Sequence, residues 1–222
     1  MASLLRFTVS SEQWERRVTI TVWGIGTTRT FRVHHALHEC GIDYETEPVR
    51  TRTVDMDRPE FRTVAVSGKV PSFQDGDFVL NESAAITRYV MTRAIPPRPV
   101  RAQAVIDQWC YFMMMELDAT SLYVVRRHEG LPDIYGESEI AVSASKSYFD
   151  RQLTTLCDEL LDGRTYLNGT FSELDILLIS MLDWAAFVKL DIPGPAEVYA
   201  DKIRERPAYQ AAYRHNYGNR TR

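Results

Sequence analysis

Three prolines fall within four positions at Pro96, Pro97 and Pro99. Proline has no amide hydrogen to donate, and its ring clashes with the preceding helical turn, so neither a helix nor a central strand crosses residues 95–99. The stretch divides the chain into two parts whose patterns differ. Upstream, residues 18–24 are β-branched, alternate in polarity and stop at Gly24, which predicts a strand. From Thr28 to Cys40 the apolar residues Phe31, Val33, Ala36 and Leu37 fall roughly on one helical face, with Gly41 placed as a C-terminal cap. Residues 44–50 predict a second strand, and Pro48 marks it as an edge. A strand, a helix and a strand in such short order require parallel pairing. Asp75-Gly76-Asp77 then separates two short extended runs, a hairpin signal. Asn81-Glu82-Ser83 opens a helical pattern through Ala84, Ala85, Ile86, Tyr89 and Val90.

Downstream of the prolines every pattern is helical. Ala102, Val105, Ile106, Trp109, Met113 and Leu117 keep helical spacing as far as Gly130-Leu131-Pro132. Phe149, Leu153, Leu156, Cys157 and Leu160 repeat it, residues 176–182 are apolar on all sides, and Pro207 suits the first position of a last helix ending near Asn216. Ser172-Glu173-Leu174-Asp175 is a capping box with Phe171 and Ile176 as its hydrophobic staple, a device that specifies a helix and carries no chemistry.

Composition excludes several classes. The formal net charge is −4 and the Lys and Arg residues are scattered, so no basic stripe awaits a nucleic acid. Cys40, Cys110 and Cys157 are far apart and odd in number, which suggests neither a disulfide framework nor a zinc site, and predicts buried, inert thiols in a reducing compartment. No apolar run is long enough for a signal peptide or a membrane span, and residues 1–17 are expected to be a loosely ordered extension. His34 and His38 have the spacing of a metal pair but no accompanying carboxylate motif. The expectation for His34, His35 and His38 is a solvated helix face and no metal. Gly24-Ile25-Gly26 is not a phosphate loop, because Arg29 stands where the third glycine belongs.

Ser67-Gly68-Lys69-Val70-Pro71, Asp75-Gly76-Asp77 and the run from Leu80 to Ile86 together resemble the glutathione-binding signature of the cytosolic glutathione transferases. Gly169-Thr170-Phe171-Ser172-Glu173-Leu174-Asp175-Ile176 resembles the capping motif of their C-terminal domain. The resemblance implies an α/β plus all-α fold. A thioredoxin-like βαβ-ββα domain would cover 18–94, a Pro-rich linker 95–100 and an all-helical domain 101–222. It also implies a cis Pro71 that leaves the backbone of Val70 outward-facing, able to pair with an extended peptide as a strand edge would. Glutathione is such a peptide. Lys69 and Val70 are expected at its backbone, Ser83 at its γ-glutamyl carboxylate, and Glu82 at its α-ammonium, where a helix start favours an anion. Asn81 or Ser83 as a simple N-cap is the alternative.

Such an enzyme must convert the glutathione thiol, pKa about 8.5, into the nucleophilic thiolate. Lowering that pKa by about two units requires roughly 2.7 kcal/mol of preference for the anion. One hydrogen bond to a charged acceptor supplies about 1.5–3 kcal/mol. By resemblance the donor stands after the first strand, where Thr27 takes the serine position and Thr28 the usual proline's. Thr27, Thr28 or backbone amides remain open as activating groups, as does a Thr27 that only caps the helix. Arg29 is expected to be exposed and solvated. No cysteine stands in this loop, which disfavours disulfide-exchange branches of the family. The electrophile pocket is expected between the domains, lined by Ile25, Met115, Tyr123 and Trp184, with at least one of Met113, Met114 and Met115 serving as core. The function implied is glutathione transfer to a small apolar electrophile by a cytoplasmic homodimer. The alternatives are a glutathione-dependent isomerase or dehalogenase, or a non-catalytic ligand-binding homologue.

Overall fold

The computed structural model describes residues 20–161 and 163–218. The expected N-terminal extension, and Val18 and Thr19 of the first expected strand, lie outside them. Strand β1 (Ile20–Trp23) leads into helix α1 (Thr28–Glu39) and strand β2 (Tyr44–Glu47). A single 3₁₀ turn (Val54–Asp57) and helix α2 (Pro59–Val64) precede the hairpin of β3 (Ser72–Asp75) and β4 (Phe78–Asn81), and α3 (Ser83–Met91) follows. The sheet order is β2-β1-β3-β4, with β1 parallel to β2 and the other pairings antiparallel. This is the thioredoxin-like arrangement expected. Strand β2 stops at Glu47 rather than continuing to Arg50. Pro48 has no amide for the ladder, and Val49 turns back, its amide donating to the Glu47 carbonyl at 2.7 Å.

The second half is helical: α4 (Val100–Phe112), α5 (Tyr123–His128), α6 (Pro132–Tyr135), α7 (Glu139–Leu160), α8 (Glu173–Phe187), α9 (Gly194–Arg204) and α10 (Pro207–Tyr217). Regular helical spacing predicted no irregularity before Gly130. Instead α4 passes without a break into wide, π-type turns over Met113–Leu122 and then into α5. Within them the Ser121 hydroxyl donates to the Glu116 carbonyl five residues back at 2.6 Å. Such widenings recur at functional sites, and this one turns Asp118 and Ser121 into the protein interior. The capping box of α8 forms as expected. Asp175 receives the Ser172 amide at 2.8 Å, the Leu167 amide at 3.0 Å and the Tyr199 hydroxyl at 2.8 Å.

The two cores interlock. Ile176 of α8 packs with Ile20, Val22, Leu37 and Phe73 in the core of the sheet domain, while Phe31 of α1 belongs to the core of the helical domain. Phe31 lies against the rings of Tyr209, Tyr213 and Tyr217. Fully burying a side chain of this size contributes about 1.5–3 kcal/mol. At the linker, Arg98 makes a two-pronged pair with Glu173 of α8, both contacts at 2.8 Å.

Because α1 is enclosed between the sheet and helices α3, α8 and α10, it has no broad solvated face. His34 and His35 are fully buried, contrary to expectation. The Gly24 carbonyl can only accept, so His34 Nε2 carries the hydrogen that reaches it at 3.1 Å, and Nδ1 accepts from the Tyr44 hydroxyl at 2.9 Å. Cys110 and Cys157 are buried and Cys40 half-buried, and burial pushes each thiol up to about 11.

Candidate functional site

The end of β1 and the turn before β3 press together. Gly24 has φ +122°, and a Cβ there would fall 2.5 Å from the Val70 Cβ, so only glycine fits. The Val70–Pro71 peptide bond is cis, and Val70 precedes Ser72, the first paired residue of β3. Val70 is buried beside exposed Lys69.

Helix α1 starts at this junction. Thr27 is its N-cap: the Thr27 Oγ1 accepts the Thr30 amide at 3.0 Å, and the Thr30 Oγ1 accepts the Thr27 amide at 3.0 Å. The cap role left open by the sequence is therefore real. It uses Thr27 Oγ1 as an acceptor, and because the Thr30 hydroxyl donates to Asn216 Oδ1, the Thr27 hydroxyl in turn donates to the Thr30 Oγ1 at 3.0 Å. The Thr28 side chain, by contrast, stands near the Tyr217 phenol. The loop is fastened by Asn216 of α10, which is 1% exposed. Its Oδ1 accepts from the Gly26 amide at 3.1 Å and the Thr30 hydroxyl at 2.7 Å, and its Nδ2 donates to the Thr27 carbonyl at 3.0 Å.

Ser83 opens α3 and is 2% exposed. It does not cap its own helix. The N-cap position belongs to Glu82, which makes no side-chain cap bond and holds φ 70°, ψ 114°. A glutamate in that conformation is strained, and such strain clusters at binding sites. Asn81 is not a cap either: its Oδ1 accepts from the Ser72 hydroxyl and its Nδ2 donates to the Val64 carbonyl. The Ser83 hydroxyl accepts from the Arg32 Nη1 at 3.3 Å.

Arg32 is fully buried. Besides Ser83 it donates to the Ser180 hydroxyl at 2.7 Å, to the Met114 sulfur at 3.2 Å and to Asp118 at 2.6 Å. The second oxygen of Asp118 takes Arg29 at 2.5 Å. Burial alone would push the Asp118 carboxyl up, but the two guanidinium groups outweigh it and hold it below its usual range. Arg29 is thus not a solvated arginine. Its side chain is 27% exposed, bound to Asp118 and seated over the Tyr123 ring at 4.6 Å. The cause is the widened helix, which carries Asp118 and Tyr123 up to α1.

Of the expected pocket residues, Ile25 is half-buried beside the loop, and Tyr123 meets Trp184 edge-on at 6.5 Å. Trp184 is 7% exposed and forms part of the core under Tyr123. Met115 is 57% exposed. The inward methionines are Met113, fully buried, and Met114 against Arg32. Sequence reasoning missed Asp118 and Asn216 as site residues. Asp118 stands in the interval just after the methionine run, and Asn216 carries no local signal at all.

The described residues thus form a thioredoxin-like domain with a cis Val70–Pro71 bond, followed by a helical domain. The family profile described as "Glutathione S-transferase, N-terminal domain" matches residues 29–93. Glutathione S-transferase 4 of Zea mays is 30% identical over 143 residues, covering 63% of this chain and 64% of the relative, so the match spans just under two thirds of that protein. Two crystal structures share the fold. A glutathione transferase from Pseudomonas putida, with one glutathione disulfide bound per subunit, superposes with a TM-score of 0.75 at 21% identity, covering 90% of this chain and 94% of that one. The theta class glutathione S-transferase of Xanthomonas axonopodis pv. citri, with glutathione bound, gives 0.69 at 25% identity, covering 87% and 96%. Residues 29–93 are thus similar to a glutathione S-transferase N-terminal domain, and the described residues share the fold of these two structures.

Proposed function

We propose that this protein is a glutathione transferase that binds glutathione along Val70 and the start of α3 and activates its thiol at Thr27. The observation that carries the reading is Ser83. Its hydroxyl sits in the first turn of α3, is not spent on capping, and is oriented by a buried arginine, so its proton and the free amides of the helix start face an incoming carboxylate. Glu82 supplies the opposite charge beside it for the α-ammonium. Lys69 and the Val70 backbone hold the extended remainder of the peptide. The sulfur then lies near the start of α1. There the Thr27 hydroxyl, an acceptor from the Thr30 amide, turns its hydrogen from the Thr30 Oγ1 to a thiolate. The proton leaves to solvent, the thiolate attacks the electrophilic carbon, a C–S bond forms, and the leaving group departs with its electron pair.

Ile25, Tyr123 and Trp184 line the electrophile side. A two-fold homodimer and a cytoplasmic location belong to the same proposal. A non-catalytic carrier is the second reading, and the observation behind it is the engagement of Thr27 Oγ1 in the helix cap. Calorimetry tests the first step. Ser83→Ala is expected to weaken glutathione binding more than tenfold, about 1.4 kcal/mol. Unchanged affinity removes Ser83 from the site.

A further inference from the structure

Two fastenings hold the thiol loop, and both lead to one place. Asn216 holds the middle of the loop, at the Gly26 amide and the Thr27 carbonyl. His34 holds its start: the buried Nε2–H donates to the Gly24 carbonyl at 3.1 Å, which leaves Nδ1 to accept from the Tyr44 hydroxyl. The His34 ring lies 4.7 Å from that of His215, the residue next to Asn216 on α10. His215 in turn is anchored to β2, with Nε2 2.8 Å from the Thr46 Oγ1 and its ring 5.4 Å from that of Tyr44. His38, one helical turn after His34, meets the rings of Tyr44 and His215 at 5.9 Å each, and its Nε2 is buried without a hydrogen-bond partner among the described residues.

Three imidazoles from two helices are thus gathered against one strand. The other titratable or charged groups around them are Tyr44 of β2, His35 of α1 and Arg214 of α10. Among the described residues no carboxylate pairs with any of the three. Glu39 is taken by His35 and Arg206, and Glu47 by Arg58. Side chains alternate along a strand, so Glu45 and Glu47 leave β2 on the face opposite Tyr44 and Thr46. Like charges brought this close without a counter-ion disfavour one another. Burial, reinforced by the neighbouring imidazoles, holds His34 at about 3 and His38 below its ordinary value, and burial lowers His215 as well. His215 is the exposed member, which gives protons their way in.

We infer that the His34–His38–His215 cluster is a proton-operated latch on the thiol loop. Neutral, it holds the end of α10, and with it Asn216, against the loop. Charged by acid, it lets that end part from α1 and β2, and the loop loses both fastenings while the rest of the fold stays closed. Parting returns each ring to water and to an ordinary 6.5, so the open form binds protons first. Closure is therefore complete above 6.5 and is lost as pH falls from there. The consequence for thiolate formation rests on the transferase reading, whereas the latch itself does not.

Hydrogen exchange of the full chain, resolved by segment and measured without glutathione, tests the latch. Failure of glutathione binding or turnover would leave this measurement readable. Between about pH 7.5 and 5, after correction for the intrinsic rate, opening of residues 24–30 and of the last turn of α10 is expected to rise more than about thirtyfold, because His34 alone supplies about thirty and His38 and His215 add to it. Helix α8 should keep its protection over the same range. Joining H38F with H215F keeps the rings but removes two of the three protonation sites, so the rise should shrink to about thirtyfold or less. The series on the unaltered protein keeps the test decisive if the paired variant misfolds. Loop protection that does not change with pH, or α8 opening in step with the loop, overturns the inference. So does a rise in the paired variant as large as in the unaltered protein.

Discussion

Arg32 has no exposed surface, yet it touches the sheet domain through Ser83 and the helical domain through Ser180, Met114 and Asp118. One buried cation thus fixes the hydroxyl proposed to receive the ligand and the seam between the two halves. Removing its counter-charge leaves two arginines facing each other without a carboxylate. Asp118→Asn is therefore expected to destabilise the protein by about 3–5 kcal/mol, as breaking a buried pair does. Urea melts read this directly, and a loss under about 1 kcal/mol would show that water or neighbouring dipoles replace the carboxylate. This network was not legible in the sequence. Arg29, Arg32 and Asp118 look like ordinary solvated positions on helical patterns. Their partners lie 86 and 89 residues apart, beyond anything local spacing encodes. Glu82, Ser83 and the Val70-Pro71 pair were legible, because a helix start and a proline leave local marks.

Helix α10 acts on the thiol loop through a single side chain. Asn216 satisfies the Gly26 amide, the Thr27 carbonyl and the Thr30 hydroxyl together, so the position of Thr27 depends on the last helix of the described chain. Asn216→Ala is expected to cut turnover about tenfold, roughly 1.4 kcal/mol of transition-state stabilisation, while changing glutathione affinity much less. A general structural defect would lower both together, so a parallel fall in affinity and kcat would contradict this positioning role. The element order itself was legible from the strand, helix and turn signals. The widened helix over Met113–Leu122 was not, because apolar spacing cannot distinguish a regular turn from one that carries an extra residue. Its effect is to bring Asp118 and Tyr123 to α1.

At the scale of the whole molecule, acid should loosen the junction of α1 with α9 and α10 in two stages. Burial, with His215 and His38 close by, holds the His34 imidazole down to about 3 against an ordinary 6.5. The unfolded chain binds that proton first, so the stability His34 contributes is complete above 6.5 and is lost as pH falls from there toward about 3. For Glu39, burial alone would raise the carboxyl, but hydrogen bonds from Arg206 and His35 outweigh it and hold it at about 2 against 4.5. Its contribution is complete above 4.5 and is lost as pH falls toward about 2. Urea midpoints measured across pH 7 to 3 (a range of about four units) should fall throughout, and Glu39→Gln should flatten the lower limb. A midpoint constant between these limits would contradict the buried neutral histidine.

The central claim is that this site turns glutathione into a thiolate, and the ultraviolet absorbance of the bound thiolate measures that most directly. In the complex with the unaltered protein, that absorbance should titrate well below the free thiol value of about 8.5. Thr27→Val keeps the shape and deletes the hydroxyl, so it should move the titration upward and slow turnover at neutral pH, while Thr27→Ser should preserve both. An unshifted titration in the unaltered complex would contradict the enzyme reading and leave a protein that only carries its ligand.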